Sequence, residues 1–208
     1  MQVKSARLIL AGAGAFGREL INWAEDCGTP FTAFLDSSAE ALAGFGYALD
    51  YLGTPDDFQP RAGDLLVMAV GEPEAKRRLA LQLKARGAQF ARLVHPSAVV
   101  ARSARLGEGV VVCPQALVSA DAVLGDFSVV NALSSVGHDV DLGAFSTLSC
   151  HVDLTGWVRV GEACFFGSGA RVLPKVRIGA AARIGAGAIV MRSVPDGATM
   201  YAAPAKKL

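Results

Sequence analysis

Residues 159–194 read RVGEAC FFGSGA RVLPKV RIGAAA RIGAGA IVMRSV, and the six-residue period they show decides the fold. Followed backward, the period runs without a break to Leu93. Its second position is apolar at every step: Val94, Val100, Leu106, Val112, Val118, Leu124, Val130, Val136, Leu142, Leu148, Leu154, Val160, Phe166, Val172, Ile178, Ile184 and Val190. The sixth position is small (Ala98, Ala104, Ala116, Ala122, Ser128, Ser134, Ser146, Cys164, Ala170, Ala182, Ala188) or Val. The third favours glycine: Gly107, Gly125, Gly137, Gly143, Gly161, Gly167, Gly179 and Gly185. Six does not match the 3.6-residue turn of a helix, and a fixed period marks a stacked architecture. Short strands joined by tight corners fit, three hexads closing one triangular coil. The 102 residues from Leu93 to Val194 are 17 hexads, between five and six such coils. At about 4.8 Å per stacked strand the prism stands roughly 25–30 Å tall. Second positions point inward. First positions, which include Arg105, Asp141, Asp153, Arg159, Arg171, Arg177 and Arg183, face outward. Glycine at the third position suits a corner where φ is positive or where backbones crowd. The period predicts a parallel β-helix and leaves its hand open.

Residues 1–90 follow a different rule. Arg7–Ala11 is a short apolar strand, followed by Gly12-Ala13-Gly14-Ala15-Phe16-Gly17 and a helix to about Asp26. Phe31–Leu35 is a second strand ending at Asp36. Residues 44–63 are rich in Gly, Pro and Asp and read as loops with one short strand. Leu65–Val70 is a third strand ending at Gly71, and Pro73 opens a helix to about Arg86, a position proline tolerates. Strands alternating with helices imply a small parallel sheet with helices on its faces. The expected organisation is a Rossmann-like unit over 1–90 and the β-helix over 91–208, the boundary falling near Gln89–Pro96.

Composition narrows the function. The 208 residues carry 20 basic and 19 acidic side chains, a net charge of +1, which argues against nucleic-acid and membrane partners. Mean hydropathy is high at +0.38, yet no uncharged apolar run approaches the ~20 residues of a membrane helix. The apolar part of the N-terminus is too short for a signal peptide and runs into the glycine loop. Cys27, Cys113, Cys150 and Cys164 show no CxxC spacing and read as free thiols in a reducing cytoplasm.

Together the glycine loop, Phe34-Leu35-Asp36, Ala69-Val70-Gly71, the opening Leu93-Val94-His95-Pro96-Ser97-Ala98, the run NALSSVGHD over 131–139, Val172-Leu173-Pro174 and Ala203-Pro204-Ala205-Lys206 resemble the hexapeptide-repeat acyltransferases. The likeness is greatest to the NeuD/PglD-type sialic-acid and nucleotide-aminosugar acetyltransferases, and it covers nearly the whole chain. It implies a left-handed coil, a homotrimer, acetyl-CoA in the cleft between neighbouring prisms and no metal. It implies that His138 is the general base, with Asp139 orienting it, and that Thr147, Ser168 and Ala186 contact acetyl-CoA, with backbone amides holding the pantetheine. It places the nucleotide-sugar acceptor on Gly14, Ala15, Phe16, Asp36, Ser37 and Gly71. Two positions depart from the family's pattern: Thr147 and Phe16 each stand where some relatives carry His.

The residues bear on this independently. Acyl transfer needs a base, an oxyanion donor and two aligned substrates, and His is matched to neutral pH. Only His95, His138 and His151 are present. His138 falls at the fourth, corner position of its hexad, with Ala120 one coil below and Gly156 one coil above, small residues that leave space for a substrate over the ring. His95 before Pro96 reads as a turn that opens the coil, and His151 as a surface or subunit contact. Cys150 as a nucleophile would need an activating base. The Gly12-x-Gly14-x-x-Gly17 loop is a formal dinucleotide fingerprint with Asp36 at ribose distance, but the unit is short for a full dinucleotide. A helix N-terminus there suits a diphosphate. Arg183, Lys206 and Lys207 are candidates for CoA phosphates. The expectation is a cytoplasmic acetyl-CoA-dependent N-acetyltransferase acting on a nucleotide-linked amino sugar. O-acetylation of a sialic acid, a zinc β-helix enzyme and a non-enzymatic scaffold are the alternatives.

Overall fold

A computed structural model describes residues 7–203 and 205. Lys206 and Lys207 lie outside the described residues. The chain starts with β1 (Arg7–Ala11), α1 (Ala15–Asp26), β2 (Ala33–Leu35), β3 (Asp50–Tyr51), β4 (Asp64–Met68), α2 (Pro73–Ala85) and β5 (Gln89–Phe90). These strands form one parallel sheet in the order β3-β2-β1-β4-β5. That is the strand order of an open doubly wound sheet, a kind of sheet in which clefts form beyond the carboxyl ends of the strands. The helices are where the apolar spacing puts them. α1 buries Gly17, Leu20, Ile21 and Ala24, and α2 buries Pro73, Lys76, Ala80 and Leu83, in each case one stripe at helical period. The fifth strand, Gln89–Phe90, lies at the expected boundary and is too short for a sequence pattern to announce.

From Leu93–Val94 to Thr199–Met200 the chain makes two-residue strands in three parallel sheets of seven, six and five. Partners are 18 residues apart: Val129 pairs with Val111 and with Thr147. The first face holds the strands beginning at Leu93, Val111, Val129, Thr147, Phe165, Arg183 and Thr199; the second those at Val99, Leu117, Ser135, Asp153, Arg171 and Ile189; the third those at Arg105, Val123, Asp141, Arg159 and Arg177. Second-position side chains such as Val118, Val136, Leu142, Leu148 and Leu154 fill the interior and are fully buried. Val94, at the open lower end, is 37% exposed.

The corners differ from one of the two expected arrangements. Positive φ falls at the fifth position, not the third: Gln115, Asp121, Phe127, Leu133, Asp139, Phe145, His151 and Trp157 all lie near +60°. This conformation costs an L-residue about 1–2 kcal/mol. It turns the fifth-position amide along the prism axis onto the fourth-position carbonyl of the coil below, as in Asp139 N–H to Ala120 O at 3.0 Å and Trp157 N–H to His138 O at 3.0 Å. Third-position glycine answers to crowding. A Cβ at Gly143 would stand 2.3 Å from Gly161 O, and one at Gly125 2.5 Å from Ala144 N.

First positions face outward on all three faces, but on the first face outward does not mean exposed. The sheet of β1–β5 and its helices pack there. Val111 and Val129 join Leu10, Leu20 and Val67 in one buried cluster, and Phe127 and Phe145 join Ile9, Leu66 and Leu83 in another. Phe90 meets Phe127 edge-on at 4.8 Å, and Phe127 stacks on Phe145 at 5.4 Å. His95 Nε2 lies 3.1 Å from Asp26 Oδ2 and its Nδ1 2.8 Å from Ser97 Oγ. It fastens the end of α1 to the first coil, the opening-turn role its position suggests.

Candidate active site

His138 stands on the edge between the second and third faces, its side chain 49% exposed. Its Nδ1 lies 2.9 Å from Asp139 Oδ2. A carboxylate only accepts, so Nδ1 carries the proton and Nε2 the lone pair. The αL conformation of Asp139 (φ +58°) brings its carboxylate beside the preceding ring, and Arg159 Nη1 donates to the Asp139 carbonyl. Gly156, one coil above, leaves room for the imidazole itself: a Cβ there would stand 2.6 Å from Nε2. The space expected for a substrate on that side is thus taken by the ring. Trp157 closes another side, edge to face at 4.3 Å, with Lys175 Nζ 5.6 Å from the Trp157 ring centre. The imidazole is braced by a carboxylate, a backbone and an indole. Sequence reasoning did not single out Trp157; an aromatic 19 places after a corner His was its signal.

Two clefts lie at the carboxyl ends of β1, β2 and β4. The larger, about 330 Å³, is lined by Gly12, Asp36, Ser37, Val70, Arg78 and Gln82 among others. Asp36 shapes it: Oδ2 accepts the Ala13 amide at 2.8 Å and Oδ1 the Ser38 amide at 3.1 Å. Two of the loop glycines are required by the fold. Gly12 has φ +103°, and a Cβ on Gly17 would sit 2.4 Å from Gly12 O. Gly14 is different. It is the N-cap of α1, it has ordinary φ, and a Cβ there would meet no atom within 4 Å. The smaller cleft, about 150 Å³, lies between the glycine loop and the first face and is lined by Phe16, Glu19, Gly71, Val129, Asn131, Thr147, Ser149 and Phe165. The acceptor-site expectations therefore divide: Asp36 and Ser37 line the larger cleft, Phe16 and Gly71 the smaller, and Gly14 and Ala15 sit exposed at the helix start.

The three residues expected to touch acetyl-CoA also divide. Ser168 and Ala186 are exposed fourth-position residues one coil apart on the edge between the first and second faces. Among the described residues their amides have no backbone acceptor. Thr147 lies on the first face, 5% exposed, and its amide is spent on Cys164 O at 2.8 Å. A backbone contact to pantetheine is closed to it, and the residue lines the smaller cleft. Arg183 is tied to Glu72 at 3.3 Å and lies 5.0 Å over the Phe165 ring, so it is not the free cation expected for a phosphate. His151 is exposed on the same edge as Ser168. Among the described residues no group of three His, Cys, Asp or Glu side chains gathers as a metal ion requires, and no helix is long and apolar enough to cross a membrane.

An imidazole held by a carboxylate on an exposed edge of a hexad prism, with Cys150 on a different edge, is an arrangement that suits an acyltransferase. Known proteins agree. No family model matches the chain. The acetyltransferase domain of PglB from Neisseria gonorrhoeae, solved with acetyl coenzyme A, is 33% identical over 98% of this chain and 100% of that one, with a TM-score of 0.87. PerB from Caulobacter crescentus, solved with CoA and GDP-perosamine, is 34% identical over 96% of each chain, with a TM-score of 0.83. A UDP-N-acetylbacillosamine N-acetyltransferase of Bacillus subtilis is 37% identical over 105 residues; that match spans 49% of this chain and about half, 47%, of that one. The chain belongs to the NeuD/PglD-type sugar acetyltransferases.

Proposed function

We propose that the protein transfers the acetyl group of acetyl-CoA to the amino group of a nucleotide-linked amino sugar used in surface-glycan synthesis. The observation that carries this is the His138 ring, its Nδ1 held by Asp139 at 2.9 Å and its side chain half-exposed on the edge of the prism. The amine nitrogen attacks the thioester carbonyl while Nε2 takes its proton. Backbone N–H groups hold the oxyanion. The tetrahedral adduct collapses, the carbon–sulfur bond breaks, and the thiolate leaves with the proton that His138 returns. Relatives solved with CoA and GDP-perosamine support both substrates.

In this reading residues 1–90 are a Rossmann-like acceptor unit and 91–208 a left-handed β-helix. The nucleotide lies over Asp36 and Ser37, the diphosphate meets the Gly14–Phe16 turn at the N-terminus of α1, and the sugar reaches the smaller cleft. Ser168 and Ala186 present free amides to the pantetheine. Acceptor and base occupy different parts of one chain: Phe16 and Thr147 adjoin the first face, whereas His138 sits on the edge where the second and third meet. A homotrimer resolves this, because neighbouring prisms supply the two halves of one site. The cytoplasm, where acetyl-CoA and nucleotide sugars are available, is the matching compartment.

The test is thiol release from acetyl-CoA against a panel of nucleotide amino sugars and free sialic acids. Release with an amino sugar, accompanied by an N-acetylated product, is expected. Release with a sialic acid alone would assign O-acetylation instead.

A further inference from the structure

Lys76 is the one lysine or arginine that is fully buried among the described residues. It lies in the buried stripe of α2, where a helix facing a core would ordinarily carry Leu or Ala. Its Nζ donates to Thr147 Oγ1 at 2.6 Å and to Ser146 O at 3.2 Å. An ammonium has donors and no acceptor, so Thr147 Oγ1 must accept from it, and the hydroxyl proton points elsewhere. Among the described residues nothing accepts that proton. Thr147 is 5% exposed and lines the smaller cleft. Buried hydroxyls are ordinarily paired, so the unspent donor indicates a ligand.

The cleft gives the ligand's character. Phe16, Val129 and Phe165 form an apolar wall, and Asn131, Ser149 and Thr147 are polar. Asn131 Oδ1 accepts the Ala132 amide at 2.7 Å, which leaves Nδ2 to donate inward. Apolar ring faces bordered by donors suit a pyranose. A donor cannot serve the attacking amine, because its lone pair must remain free, so the group facing Thr147 is an oxygen.

We propose that Lys76 is a positioning residue for acceptor recognition: its ammonium takes the Thr147 oxygen and turns the Thr147 proton into the cleft, toward an oxygen of the acceptor sugar. This rests on the aminosugar reading above. It also has a pH signature. Burial lowers the Lys76 pKa to about 7, with Glu72 opposing the fall. The charged group that acts on it is Glu72 of its own helix, which is in turn paired with Arg183 of the prism. Below pH 7 the ammonium forces the hydroxyl outward. Above it the neutral amine accepts, and the hydroxyl can turn back.

The experiment is steady-state kinetics of wild type, Thr147→Val, Thr147→Ser, Lys76→Met and Lys76→Met/Thr147→Val with the nucleotide amino sugar that wild type turns over. Thr147→Val should raise the acceptor KM about three- to tenfold with the acetyl-CoA KM little changed, and Thr147→Ser should recover most of the loss. Lys76→Met should raise it similarly in wild type and add nothing in the Thr147→Val background. The ratio of acceptor KM between Thr147→Val and wild type should be largest near pH 6 and approach one above pH 8. Additive effects of the two substitutions, or a pH-independent ratio, would reduce Lys76 to a structural pin and overturn the inference. If Lys76→Met does not fold, the pH ratio, which needs only Thr147 variants, decides. No turnover of any amino sugar by wild type would instead remove the functional reading, and this inference with it.

Discussion

His138, Gly14 and Lys76 show three ways in which one residue is fixed by its surroundings. His138 is fixed by Asp139, which sets the tautomer. His138→Ala is expected to lower kcat roughly 10²–10⁴-fold with the acetyl-CoA KM nearly unchanged, and Asp139→Asn, which still pairs with Nδ1 but lacks the charge, should lose less. Wild-type kcat in His138→Ala would remove the imidazole from the mechanism. Gly14 is held by neither crowding nor positive φ, since a side chain there would touch no protein atom within 4 Å; in the proposed function the diphosphate passes over it. Gly14→Ala should shift Tm by no more than a degree or two, yet raise the nucleotide-sugar KM several-fold, because the methyl enters the path of the diphosphate. Lys76 is fixed at a cost. Its pKa is lowered to about 7 in the folded protein, against about 10.4 unfolded. Between these values the unfolded chain binds the extra proton, so stability rises with pH there, by up to about 1.4 kcal/mol per pH unit; the contribution is lost as pH falls through 7. Urea titrations from pH 7 to 9.5 should show that slope in wild type and a flatter one in Lys76→Met.

Hexads, coils and helices were legible to very different degrees. The inward stripe from Val100 to Val190 was read from one period, because every coil repeats the same burial. The third-position glycines were seen, but spacing alone does not separate positive φ from crowding. Only the coil above shows that Gly143 lies under Gly161, its would-be Cβ 2.3 Å from that carbonyl oxygen. Gly143→Ala should therefore destabilise by several kcal/mol, as forced overpacking does, whereas Gly187→Ala, with open space but φ +68°, should cost about 1 kcal/mol; thermal melts of the two variants rank them. The covered face had a signal that a six-residue reading hides. At every third hexad from Leu93 the first position is uncharged, as Leu93, Val111, Val129, Thr147 and Phe165, until Arg183, an 18-residue pattern on the face under the N-terminal unit. His138 was legible because its partner Asp139 is the next residue, and Asp36 because it closes the strand beside the glycine loop. Lys76 and Trp157 were not, because Thr147 and His138 reach them only after the prism has wound.

At the scale of the whole molecule the unresolved geometry is that of a single chain. The cleft lined by Phe16 and Thr147 opens beside the first face, the Ser168 and Ala186 amides, without a backbone acceptor among the described residues, follow the edge between first and second, and His138 stands on the edge beyond. The second face, with Val99, Leu117 and Ile189 exposed on it, lies between the edges. Pressing that face toward a neighbour in a ring of three brings one chain's base to the next chain's acceptor. Mixing makes the arrangement testable. His138→Ala chains lack the base and keep the acceptor cleft, whereas Gly14→Leu chains keep the base and block the diphosphate. Each alone should be nearly inactive. If the two are unfolded together and refolded at equal amounts, random assembly of trimers pairs an intact base with an intact cleft at about a quarter of the sites, and about that share of wild-type turnover should return. A site contained within one chain would gain nothing from mixing, because every chain in the mixture is defective in one half. Recovered turnover near a quarter with a trimer's mass in solution therefore supports the shared site, and no recovery with the same mass refutes it.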